Sequence, residues 1–347
     1  MTDLITAIVL ITAIIVFWPK VLPTRKIMGC ALPQKPVDPT RVAQAATYLK
    51  KTNVTGAVLN QGENEVFQYG NVDHISNIYS CRKSVISVLY GIAEAKGMVN
   101  LEKNLGEIDI DEKRTPLTDL EKSATIRNLL MARSGVYLPS GAETQWMKEN
   151  RPKRGAFKPG ENFYYNNWDF NVLGTIFEKE TGIRIGQAFY DWIALPTEME
   201  DFLPRHVHYA KESHSEHKTW RFYMSTRDMG RFGTLIAHDG RWHEAQIVPK
   251  EWIELSMTPH TLNRPPEDEG EHYGYLWWLD LENGLEMAVG YHGQYIVIDR
   301  MRKLSFAVKV HSGINLWGEL MAMLKKVDIE TEEVLEALEI LKRDPGI

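Results

Sequence analysis

The chain has 347 residues, 44% of them hydrophobic, enough to bury a large core in one two-lobed domain or two close ones. Its formal net charge of −6 gives no electrostatic reason to expect nucleic acid as a partner. Only two cysteines are present, Cys30 and Cys81, which excludes a disulfide framework.

At the N-terminus, Leu4–Trp18 is an apolar run, short of the roughly 20 residues a spanning helix prefers, though Val21 and Leu22 extend it past Pro19. We expect residues 1–30 to be a hydrophobic anchor and linker that makes the protein membrane-associated through a transmembrane helix. No lysine or arginine precedes the run, which disfavours a secretory signal peptide. Lys20, Arg25 and Lys26 follow it, and the positive-inside rule would then leave the remainder cytoplasmic.

Residues 31–347 are expected to form the main domain. Residues 55–70 read as two strands around a Gln61–Gly62 turn. Past Lys83 the apolar residues Val85, Val88, Leu89, Ile92 and Ala93 recur at helical spacing, which predicts an amphipathic helix. From about 100 to 224 the pattern is helical and loop-like, punctuated by prolines from Pro116 to Pro204. Strands return from 272 to 310. The fold class expected is α/β, of the α+β type. Its antiparallel sheet, flanked by helices, comes from about 31–105 and 225–315, with a helical lobe inserted at about 106–224. C-terminal helices are expected over 316–343.

Three segments carry chemistry. The first is Ser80-Cys81-Arg82-Lys83 at the predicted helix start. Positions three apart share a helix face, so Lys83 can place its amine against the Ser80 hydroxyl. Serine is a poor nucleophile until a base takes its proton, and a lysine can serve if burial and the helix dipole lower its pKa. A second Ser-x-x-Lys, Ser215 to Lys218, sits in a polar run with no apolar period behind it and reads as a solvated loop.

The second segment follows the Pro159-Gly160 turn, where Tyr165-Asn166-Asn167 and Tyr164-Tyr165-Asn166 both read Tyr-x-Asn. A tyrosine near a neutral lysine can pass a proton to a leaving group, and an asparagine both donates and accepts hydrogen bonds. The third is the glycine-bounded turn at Gly290–Gln294 entering an alternating strand, where backbone N–H groups can point at an oxyanion. His206, His208, His214 and His217 lack a ligand pattern, so no metal or cofactor is expected. Trp277-Trp278 reads as a strand packing into the core.

Taken in this order, the segments resemble the serine β-lactamase and penicillin-binding-protein-like hydrolases, from about residue 50 to residue 312. The likeness is nearest to the branch with class C β-lactamases, related esterases and 6-aminohexanoate-dimer hydrolases. It implies a β-lactamase/transpeptidase-like fold in which Ser80 is acylated, Lys83 is its base and Tyr165 is the second proton carrier. The family's tyrosine follows a Phe-x step, which Phe163-Tyr164-Tyr165 satisfies, so the resemblance selects Tyr165 and Asn167. Asn167, Tyr291, His292, Gly293 and Gln294 then bind substrate or the oxyanion.

Penicillin-recognising members begin the third motif with a cation, Lys-Thr-Gly or His-Thr-Gly, whereas this chain has Tyr291-His292-Gly293. One step along a strand reverses the side chain, so His292 is expected to face away from the carboxylate position. The expected function is therefore serine hydrolysis of a small-molecule amide or ester through an acyl-enzyme. The alternatives are a non-catalytic, membrane-tethered binding or scaffolding protein on the same fold, or a weak β-lactamase or D-peptidase. Family members more often act outside the cytoplasm, against the positive-inside reading, which leaves the side of the membrane open. No oligomeric state follows from the sequence.

Overall fold

The computed structural model describes residues 38–211, 213–260, 272–311, 329 and 331–342. Its strands, in chain order, are β1 Gly56–Gln61, β2 Asn64–Gly70, β3 Ser76–Asn77, β4 Val207–Ala210, β5 Thr219–Met224, β6 Arg241–Trp242, β7 Ala245–Gln246, β8 His272–Tyr273, β9 Trp278–Asp280, β10 Leu285–Gly290, β11 Gln294–Asp299 and β12 Leu304–Lys309. Among the described residues a seven-stranded sheet runs β2-β1-β12-β11-β10-β9-β8, and its neighbours pair antiparallel. Strand β1 lies against β12 with Gly56 opposite Lys309, so early and late segments share one sheet.

Side-chain alternation shows that both faces of this sheet are covered. On β11, Tyr295 and Val297 join a core with Leu49 of helix Pro39–Leu49 and Leu338 of helix Thr331–Lys342. Ile296 and Ile298 point the other way, into a core with Phe232 and Ile236 of helix Thr226–Ala237. Burial on two faces explains why β11 carries apolar residues almost without interruption.

Helix Cys81–Ala95 lies inside this second core. Every side chain from Cys81 to Ala93 is buried, so the amphipathic helix expected from the periodicity is instead central. Two of its hydroxyls find partners inside: that of Ser84 donates to the Leu276 carbonyl at 2.7 Å, and that of Tyr90 to the Leu173 carbonyl at 2.7 Å. Gly91 permits helix Lys250–Ser256 to approach, because a Cβ there would sit 2.2 Å from the Trp252 ring.

The stretch read as helical and loop-like also contains strands. β5 pairs with both β3 and β4 in a second antiparallel sheet. Its residues are buried on both faces, which removed the alternation that reveals a strand in sequence. The Ser215–Lys218 run is likewise not a solvated loop. The Ser215 hydroxyl is buried and donates to Glu112, which also accepts from Trp168 Nε1 at 2.9 Å and Glu216 N at 3.0 Å. Lys218 is exposed, so this second Ser-x-x-Lys is a structural clasp.

The expected anchor at Leu4–Trp18 lies outside the described residues. Among those described, no helix is long and apolar enough to cross a membrane, which corrects the membrane-associated, transmembrane reading: the described residues do not support it. A crossing takes about 20 apolar residues, whereas helix Cys81–Ala95 has 15 and carries Arg82, Lys83 and Glu94.

Gly91→Ala should force the Trp252 ring to move. We expect a loss of about 1–3 kcal/mol, as for other overpacked cores, measured by chemical denaturation. An unchanged midpoint would show that the two helices separate freely.

Candidate active site

Strand β3 delivers Ser80. Ser76 and Asn77 pair with Met224 and Tyr223, and Ile78 N donates to the Phe222 carbonyl at 2.9 Å. The chain then turns sharply at Tyr79, whose φ of 46° lies in the left-handed region, and Asn77 Oδ1 accepts from Tyr79 N at 2.8 Å. Ser80 is the N-cap of the central helix.

One turn on, Lys83 Nζ lies 2.8 Å from Ser80 Oγ and 2.7 Å from the Tyr165 hydroxyl. The same nitrogen sits 4.3 Å from the Tyr165 ring centroid and 4.5 Å from that of Phe170. Burial drives the Lys83 amine well below its ordinary value, and the neighbouring Arg82 charge adds to this. Burial also raises the Tyr165 phenol to about 12, against a hydrogen bond from Ser80 that lowers it. Burial thus acts on both groups in the direction of their uncharged forms, amine and phenol.

Tyr165 stands immediately before helix Asn167–Thr181. Tyr164, the alternative register, is turned away and donates to the Met147 carbonyl. Asn166 caps the helix by accepting from Trp168 N at 3.1 Å. Asn167 is buried and donates to the Ala142 carbonyl at 2.5 Å, leaving its Oδ1 without a hydrogen-bond partner.

The Gly290–Gln294 segment is a hairpin end. Gly290 pairs with Gln294, and Tyr291 to Gly293 form the turn between β10 and β11. His292 has a φ of 58° there, so strand alternation does not set its direction, contrary to the sequence expectation. It is buried edge-on against Tyr79, ring centroids 5.6 Å apart, with both ring nitrogens unpartnered. Tyr291 is half exposed, 6.2 Å from the Tyr79 ring. Gly293 packs against Val310 and Ile329, where a Cβ would fall 2.2 Å from Ile329. The Gln294 side chain holds the turn, donating to the carbonyls of His292 and Val310 at 2.9 and 2.7 Å.

Ser80, Lys83 and Tyr165 thus meet directly. Tyr291 and His292 flank them through Tyr79, and Gly293 and Gln294 shape the turn. Gly290 ties this turn to the serine, because a Cβ there would lie 2.5 Å from the Ile78 carbonyl oxygen. The Cys81 thiol, buried and held protonated by desolvation, donates to the carbonyls of Ala288 and Gln294.

Sequence reading missed the aromatic wall around the phenol. Phe170, Trp278 and Tyr273 place their ring centroids 4.9, 5.4 and 6.0 Å from that of Tyr165. The strand period carried the signal: Trp277 is buried and stacks with Phe232, whereas its neighbour Trp278 turns towards Tyr165. A separate cleft of about 490 Å³ is lined by Glu63, Glu65, Glu200, Arg227, Arg231 and His243. Its cations are already matched, Arg227 and Arg231 by Glu200 and His243 by Glu63.

Removing the buried amine should stabilise the fold. An unfolded lysine titrates near 10.4. Below that pH the unfolded chain holds a proton that folded Lys83 does not, so stability falls as pH drops towards the lower folded value. Lys83→Met should therefore melt at a higher temperature than wild type at pH 7, with the gain shrinking as pH approaches 10. Calorimetry across that range checks it; a lower melting temperature at pH 7 would contradict the lowered proton affinity of folded Lys83.

Residues 45–315 match the sequence model of the β-lactamase family. No curated protein matches the chain. Among solved structures, one described as a β-lactamase from Bacteroides dorei superposes with a TM-score of 0.65 at 18% identity, covering 88% of this chain and 99% of that one. A family VIII carboxylesterase gives 0.62 at 13% identity, covering 88% and 98%. A protein described as a 6-aminohexanoate-dimer hydrolase from Bacillus anthracis gives 0.60 at 18% identity, covering 86% and 82%. At these identities the structures bear on the fold.

Proposed function

Since the chain belongs to the β-lactamase family of serine hydrolases, we propose that it hydrolyses a small amide or ester through an acyl-enzyme on Ser80. The observation that supports this most is the desolvated Lys83 amine within hydrogen-bond distance of both Ser80 Oγ and the Tyr165 hydroxyl. A neutral Lys83 takes the hydroxyl proton as Ser80 Oγ attacks the carbonyl carbon. The developing oxyanion accepts hydrogen bonds from the Ser80 N–H and a second backbone N–H within Gly290–Gln294. Lys83 and Tyr165 pass the proton to the leaving alkoxide or amine, and water then releases the acid from Ser80.

The substrate class follows from the hairpin end. Tyr291, His292, Gly293 and Gln294 supply no lysine or arginine where penicillin-recognising relatives hold a carboxylate, which favours substrates without that anchor. The similar folds described as a carboxylesterase and a 6-aminohexanoate-dimer hydrolase fit ester or linear amide chemistry.

Intact-mass analysis after treatment with a fluorophosphonate should show one adduct on wild type and none on Ser80→Ala. An adduct surviving that substitution would reject Ser80 as nucleophile. Lys83→Met and Tyr165→Phe should each lower turnover by about 10²–10⁴-fold, the range for general acid–base groups. Short-chain p-nitrophenyl esters should be cleaved much faster than nitrocefin; comparable rates would refute the substrate assignment.

A further inference from the structure

Between the nucleophile and its proposed base, the helix carries a buried guanidinium. The Arg82 side chain is almost fully inaccessible, with its guanidinium carbon 4.2 Å from the centroid of the Trp220 ring. Its Nη2 donates to Asn171 Oδ1 at 3.1 Å, and its Nη1 is buried without a hydrogen-bond partner. Among the described residues neither Arg82 nor Lys83 forms an ion pair. A guanidinium buried without a carboxylate is destabilising unless something else keeps it there.

The two basic heads end on successive residues of the facing helix, Lys83 above the Phe170 ring and Arg82 at Asn171. We propose that Arg82 is a positioning residue whose unpaired buried charge keeps the adjacent Lys83 amine unprotonated and ready to accept the Ser80 proton. This rests on the hydrolase reading above.

The surrounding groups leave that charge unopposed. On its own helix Lys83 faces Ser80 and Cys81, and the Cys81 thiol is held protonated by burial. From the opposite wall it faces Tyr165, whose phenol is raised to about 12, with Tyr273 behind it also held neutral. Asp169, on the facing helix, is pushed by burial towards its uncharged acid. Arg82 is lowered only to about 10 and remains a cation at neutral pH, with Arg221 of β5 as a further like charge. Lys309 of β12, near Cys81, is brought to about 7 by burial and adds no negative charge. The same repulsion would help Lys83 surrender the captured proton, through Tyr165, to the leaving group.

The test follows Ser80 phosphonylation by a fluorophosphonate from pH 5 to pH 10 in the full-length wild type, Arg82→Met and Arg82→Lys. Removing a like charge raises the affinity of Lys83 for a proton, so Arg82→Met should move the acidic limb up by roughly one pH unit. Below the limb its rate should fall about tenfold, and above it the rate should stay within about threefold of wild type. Arg82→Lys should keep the wild-type limb. An unmoved limb in Arg82→Met, even with a uniformly lower rate, would leave Arg82 a packing residue and overturn the inference. Should circular dichroism show Arg82→Met unfolded, Asn171→Asp places a carboxylate against the guanidinium and must move the limb the same way; no movement there overturns it too. A wild type that is not phosphonylated at Ser80 would instead refute the hydrolase reading itself.

Discussion

A lysine in water stays protonated to about pH 10 and cannot act as a base at neutrality. In the structure the Lys83 amine is buried against the rings of Tyr165 and Phe170 and held 2.8 Å from Ser80 Oγ. Everything that buries it is tertiary. The central helix is enclosed by the large sheet on one side and by helices Lys250–Ser256 and Asn167–Thr181 on others. Burying an amine in this way opposes folding, because the unfolded chain binds the proton more tightly, so the surrounding core has to stabilise the site as well as shape it.

The strand that delivers Ser80 is itself clamped. Lys309 reaches from β12 to the carbonyls of Ser76 and Met224, joining the short sheet to the large one at the residues leading into the Ser80 turn. Gly290 supplies the other half of the clamp, since any larger side chain would collide with the Ile78 carbonyl. The hairpin end and the helix start therefore approach each other by backbone, which suits a site whose proposed oxyanion contacts are backbone N–H groups.

The two Ser-x-x-Lys copies show what spacing alone decides. Both present a serine three residues before a lysine. In one, the lysine is buried against its serine; in the other, Ser215 is committed to Glu112 and Lys218 points to solvent. Burial against the serine is what separates the two copies, so equal spacing yields unequal surroundings.

The sequence by itself determined the β1–β2 hairpin at Gln61–Gly62, the returning strands after residue 272, the helix behind Ser80 and the family resemblance. Each of these rests on local periodicity, turn residues or short motifs, which neighbours along the chain carry. Periodicity misread three places where distant partners overrode it: the central helix is buried on all faces, β5 is buried on both, and His292 follows turn geometry rather than strand alternation. The Leu4–Trp18 run suggested an anchor by composition, and no described helix is able to cross a membrane. Only the tertiary structure placed Trp278 beside Tyr165, Arg82 between Trp220 and Asn171, and Gly290 against Ile78. Those contacts join residues dozens to hundreds of positions apart, and the protonation states they impose depend on how much water the fold excludes, a quantity no local pattern encodes.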